Sequence, residues 1–155
     1  MPQLVKGGKN VFGWSKLNLS GKFKIPEVAR KEYNLQPTNK VILISGSKTS
    51  GGFSIVKIGK LRFSPLSNVL DNNPELASFE IPMGEPIRYG KKILCWTEII
   101  KDRSIHLPIE TLKLYEIEPG DLVLSIRGSG LGVGFIVKGP IIKEAKQHPE
   151  LRIFK

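Results

Sequence analysis

Residues 21–45, GKFKIPEVARKEYNLQPTNKVILIS, recur 82 positions later, without a gap, as RSIHLPIETLKLYEIEPGDLVLSIR at 103–127. Pro26 falls on Pro108, Lys31 on Lys113, Tyr33 on Tyr115, Pro37 on Pro119 and Val41 on Val123. The register holds beyond this stretch. Gly8-Lys9 meets Gly90-Lys91, Trp14 meets Trp96, Gly46-Ser47 meets Gly128-Ser129, and Gly52-Phe53 meets Gly134-Phe135. Matching composition seldom aligns both tryptophans of a chain together with several glycines and prolines, so the chain reads as an internal duplication. A further pair of segments, 64–79 and 139–154, matches at a spacing of 75 through Pro65/Pro140, Pro74/Pro149, Glu75/Glu150, Leu76/Leu151 and Phe79/Phe154. The first copy therefore carries seven extra residues between Phe53 and Ser64. The expected organisation is a first repeat over 1–80, a connector over 81–89 and a second repeat over 90–155, with one core between them.

Each copy spells the same series of elements. Trp14, Leu17 and Leu19 alternate loosely with polar residues and suit a half-buried strand. Ser20-Gly21 is turn chemistry, and Lys22 to Ile25 alternates strictly. Pro26 suits the first turn of a helix, which predicts a short helix over EVARKEYNL with Val28, Ala29, Tyr33 and Leu35 inward. Lys40 to Ser45 is β-branched and apolar enough to be buried on both faces, and Phe53 to Ile58 returns as a hairpin arm. The second copy repeats these steps from Trp96 to Ile126. The proline-bounded segments 64–79 and 139–154 each predict one more short helix followed by a brief strand.

Charge narrows the partners. The chain of 155 residues carries 24 basic against 14 acidic side chains, a net charge of +10, which favours a polyanion. No apolar run approaches the roughly 20 residues of a membrane span. The first residues, MPQLVKGG, show no signal pattern, so a cytoplasmic protein is expected, with no membrane partner. One cysteine, Cys95, excludes an intrachain disulfide and reads as a small core residue.

A strand, GK-x-x-IP, a short helix with the basic pair Arg30-Lys31, then a turn before a hydrophobic strand resembles the AbrB/SpoVT-type swapped-hairpin domains. IEPGDLVLSI at 117–126 is similar to that family's turn and strand after the helix. The resemblance covers roughly 14–57 and 96–138, and two copies in one chain are similar in organisation to the tandem MraZ subfamily, whose own signature is not matched. It implies a mainly β fold in which two swapped-hairpin-like repeats with short helices form an intramolecular pseudo-twofold β-barrel. Trp14 and Trp96 would then take symmetrical places in one shared core. It also implies a DNA-binding transcriptional regulator, a single-chain pseudodimer whose contacts sit on the turn after the first strand and around the short helix. Carried onto this chain, those positions are Lys16, Lys22, Lys24, Arg30 and Lys31 in the first copy and Lys101, Arg103 and Lys113 in the second. The window 16–31 has a charge of +4 and the matching 98–113 is neutral, so duplex DNA is expected mainly on the first repeat.

Without the resemblance, such a cluster reads as a solvated basic face. A second functional reading keeps the fold without DNA binding, as an assembly module self-associating through 64–79 and 139–154. No nucleophile–base constellation stands out, and an enzyme, a metal and a cofactor are not expected. Gly128 to Gly134 resembles a phosphate-cradling loop, but a strand follows it where such a loop needs a helix, so it reads as a hairpin connection. His106, at a strand end, and His148, before a proline, lack partners at metal-ligand spacing, and Asp102 and Asp121 are turn residues.

Overall fold

The structure is a computed structural model that describes residues 10–127 and 131–155. Gly8, Lys9 and Gly128 to Gly130, which entered the sequence matches above, lie outside them. The chain begins with strands β1 (Val11–Lys16) and β2 (Lys22–Lys24), helix α1 (Glu27–Glu32), and the hairpin β3 (Lys40–Ser45) and β4 (Phe53–Lys57). Three short helices follow: α2 (Ile58–Arg62), α3 (Asn68–Asp71) and α4 (Pro74–Ala77). The second half runs β5 (Ile87–Tyr89), β6 (Lys92–Glu98), β7 (Ser104–His106), α5 (Ile109–Leu114), β8 (Leu122–Arg127), β9 (Gly132–Ile136), α6 (Pro140–Ala145) and β10 (Ile153–Phe154). Strand β7, helix α5 and strand β8 begin 82 residues after β2, α1 and β3. Pro26 and Pro108 stand at the two helix starts as expected. Their fixed φ fits the first turn, where a missing N–H costs nothing.

The fold is mainly β. Eight strands form one mixed sheet in the order β10-β1-β8-β9-β4-β3-β6-β5, and β2 pairs with β7 in a separate ribbon. Pairing is crosswise: β1 runs antiparallel to β8, β3 to β6 and β4 to β9. The expected closed barrel is not what forms. The outer edge of β1 is taken by parallel β10 and that of β6 by antiparallel β5, so the sheet stays open. The three-residue strands β2 and β7 leave the sheet and pair with each other.

Period-two alternation makes the sheet a middle layer. On one face, Val41, Leu43, Phe53, Ile55, Val123, Val133 and Phe135 pack against the ribbon and both central helices in a cluster drawn from both halves. At its centre Phe23, Phe53, Phe135 and Tyr115 stack tilted or edge-on, with centroids 5.1–5.9 Å apart. The opposite face carries two separate clusters. Val11, Trp14, Leu124 and Ile126 lie under α6, while Ile42, Ile44, Leu94 and Trp96 lie under α2–α4. The tryptophans therefore do not share a core: each anchors its own cluster, because it stands one residue out of phase with the central face. Cys95, one residue earlier, points into the central cluster, and burial pushes its thiol up to about 11.

Local expectations differ in three further places. Val28 is 55% exposed, because a six-residue helix aims only Ala29 inward and leaves the rest of the inward face to Tyr33 and Leu35 just past its end. Segment 64–79 forms α3 and α4 and no strand, and Phe79, at φ +60°, packs edge-on against Trp96. The connector contributes β5. Segments 64–79 and 139–154, expected to self-associate, bury Val69, Leu70 and Leu76 in one outer cluster and Ile142, Ala145 and Leu151 in the other. Ile153, in the second of these segments, stays exposed. No helix among the described residues is long and apolar enough to cross a membrane.

Candidate nucleic-acid interface

Antiparallel pairing of β2 with β7 decides which charges meet. Lys22 stands opposite His106 and Lys24 opposite Ser104, so the turn before β7 lies at the end of β2, where the chain enters α1. The backbone N–H of Ile25 donates to Arg103 O at 3.4 Å, joining that turn to the start of α1. A turn from the second half thus abuts the helix of the first. The converse also holds: Leu107 N donates to Gly21 O at 3.2 Å, which places the first half's turn beside α5.

The two turns share a backbone construction, Gly21 N donating to Asn18 O and Arg103 N to Ile100 O, but the side chains that brace them stand at non-matching positions. In the first, Asn18 Oδ1 accepts from Ser20 N, Ser20 Oγ and Lys22 N at 2.7–3.0 Å. In the second, Asp102 Oδ1 accepts from Ser104 N and Ser104 Oγ. Short Asx side chains are suited to this local bonding. Asp102 also pairs with Lys22, and this bond, ahead of those from Ser104, holds its carboxyl down at about 2. The residue that closes each turn has positive φ, +91° at Gly21 and +65° at Arg103. A Cβ on Gly21 would stand 2.4 Å from Leu107 O, which glycine alone avoids.

Six of the eight sequence-predicted cations line two depressions on either side of the Asp102–Ser104 turn, and Lys101 stands on that turn; Lys113 lies outside both. Lys16, Lys22, Lys24 and Lys155 line a depression of about 440 Å³ together with Leu17, Asn18, Phe23, Asp102 and Ser104. Across the Asp102–Ser104 turn, a second depression of about 390 Å³ is lined by Arg30, Lys31 and Arg103 with Asn34, Leu35, Gln36 and Pro37. Lys101 is exposed on the turn between them. Arg30 Nε donates to Ile25 O at 3.1 Å. Burial first, and then the charge of Arg103, lowers the Arg30 pKa. Lys31 is shared with Glu27 at 3.1 Å, an exposed i,i+4 pair that a stronger anion would displace at little cost.

Lys113 lies apart, exposed on α5 and outside both depressions. On that side Leu112, fully buried, occupies the place corresponding to Arg30, and Gly21 the place corresponding to Arg103. His106 Nε2–H donates to Ser20 O at 2.8 Å and is spent on the ribbon.

Lys155 was not singled out in the sequence. It follows β10, whose Phe154 registers with Ser15, so it arrives beside Lys16 through a parallel pairing that carries no local signal. The other candidates take ordinary places. Asp121 accepts from Glu118 N at 2.9 Å within its turn, and His148 lies between Glu144 and Glu150. Among the described residues no group of three or more His, Cys, Asp or Glu is placed to hold a metal ion. No family model, curated protein or solved structure matches the chain.

Proposed function

We propose that the chain is a DNA-binding transcriptional regulator of AbrB/SpoVT type, a single-chain pseudodimer made of two swapped-hairpin repeats. The duplication reading is supported by the 82-residue spacing of β2, α1 and β3 to β7, α5 and β8. The swapped reading is supported by the crosswise pairings, in which β1 lies against β8 and β6 against β3. The observation that carries the function is the gathering of Lys16, Lys22, Lys24, Lys155, Arg30, Lys31 and Arg103 around one turn, with Asp102 the one acid lining the two depressions. Such a density of cations is a footprint for phosphates, which position a protein on a duplex before any base is read.

Filter-binding titration on mixed-sequence duplex DNA at low and physiological salt tests this. Binding that weakens steeply with salt is expected, with a slope of about 0.9 per phosphate contact. Absence of binding at low salt would reject the reading and favour an assembly module of the same fold. The open edges at β10 and β5 are the feature that favours that second reading.

A further inference from the structure

Arg103 sits in the left-handed backbone region, φ +65°, at the position matched in the first half by Gly21. A side chain is held there against its backbone preference, and such positions cluster where a group must be aimed. Its carrier is a fastened turn: Arg103 N donates to Ile100 O at 2.8 Å, Ile100 N to Ser104 O at 3.1 Å, and Asp102 is tied to Ser104 and Lys22. The turn delivers Arg103 to the depression that holds Arg30 and Lys31, and no acidic side chain lines that depression. Arg30 is anchored through Nε on Ile25 O, leaving its terminal nitrogens for a ligand. Arg103 has no ion-pair partner among the described residues. Two guanidinium groups from opposite halves are therefore kept together with no salt bridge of their own among the described residues, and Glu27, the carboxylate whose charge reaches both, is paired with Lys31.

We propose that Arg30 and Arg103 form a clamp for one phosphate group, assembled from both halves of the chain and present on one side only. Each planar fork can take two phosphate oxygens, and Lys31 adds a point charge. The depression, about 390 Å³, has room for a nucleotide-sized phosphoester. The phosphate can come from a duplex backbone, a source that rests on the DNA reading above, or from a free phosphomonoester, which does not.

The test follows the Arg Nε–Hε NMR signals of the full chain during titration with thymidine 5′-monophosphate and, separately, with mixed-sequence duplex. The Arg30 and Arg103 signals should saturate together. Arg103→Gly, which gives the backbone its preferred residue and should melt no lower than the unsubstituted chain, should weaken binding at least about tenfold. Lys113→Ala should leave it unchanged. Saturation by the duplex alone assigns the clamp to backbone phosphodiesters. Saturation by the mononucleotide alone keeps the clamp and removes the DNA reading. Duplex binding that leaves both signals unmoved overturns the clamp while keeping the DNA reading. Arg103→Gly binding as tightly as the unsubstituted chain, with its melting intact, also overturns the clamp.

Discussion

The side of the ribbon that faces α1 and the side that faces α5 are built on the same turn, the same short strand and the same proline-started helix, yet they differ in chemistry. On the α1 side, Arg103 closes the turn and Arg30 lies on the helix. On the α5 side, Gly21 and buried Leu112 take those places. Close packing explains why they cannot be exchanged. Turn 18–21 is pressed against Leu107 and Leu112, where a Cβ has no room, whereas turn 100–103 lies against the polar end of α1 and leaves an open depression. One scaffold thus carries a tight side that serves the core and a loose side free to serve a ligand.

The largest expected effect is on the loose side. Arg30→Ala, Lys31→Ala and Arg103→Ala together should lower the salt slope of duplex binding by about one unit, for the one phosphate the clamp holds, and weaken binding by more than Arg103→Gly alone. Lys113→Ala should leave the slope unchanged, and equal losses from the two sides would break the contrast. Lys22 belongs in a separate variant because it is already paired with Asp102. Next comes the tight side. Gly21→Arg combines a φ of +91° with overlap on Leu107 O, and should cost about 2–4 kcal/mol in urea unfolding, from backbone strain plus overpacking. A neutral Gly21→Arg would show that the turns are interchangeable after all.

A smaller effect contrasts Gly13 with its counterpart Cys95. A Cβ on Gly13 would stand 2.7 Å from Arg152 O and 2.9 Å from the Phe154 ring. Gly13→Ala should therefore loosen β10 and speed hydrogen exchange at Trp14 N, which donates to Arg152 O at 2.8 Å. Cys95→Ala should leave that exchange unchanged and cost about 1 kcal/mol through the lost buried sulfur. The smallest effect concerns acid. The Asp102 carboxyl, held at about 2 against an ordinary 3.8, contributes stability that is complete above the unfolded value and is lost as pH falls through the folded one. Asp102→Asn should remove a small part of the melting-temperature loss between pH 4 and 2, and an unaltered acid limb would show that the turn needs no charge.

Local elements were legible because their signals are local. Pro26 and Pro108 start helices, β3 is a continuous apolar run and β8 one interrupted by Ser125, and the 82-residue register reappears in β7, α5 and β8. What escaped depends on partners far along the chain. Counting charge over 16–31 and 98–113 assigned Arg103 to a neutral second face, whereas β2–β7 pairing carries it to Arg30. The tryptophans match in sequence, but which face they take depends on the phase of each strand against the ribbon. Lys155 reached the site through β10, a two-residue strand with no periodicity to read.

The crosswise pairing of β1 with β8 bears on how the chain acquires its structure at all. Ser125 Oγ donates to Gly13 O at 2.8 Å across a separation of 112 residues, and β2 must wait for β7 before its phenylalanine is covered. Such non-local closure slows folding and leaves early-made strands uncovered during synthesis. As the chain emerges from the ribosome, the β3–β4 hairpin can zip up, but its outer edges stay bare until β6 and β9 are made. Truncation after the first half should therefore yield an aggregating fragment, not a half-sized protein, and the nascent chain is a natural client for a holding chaperone.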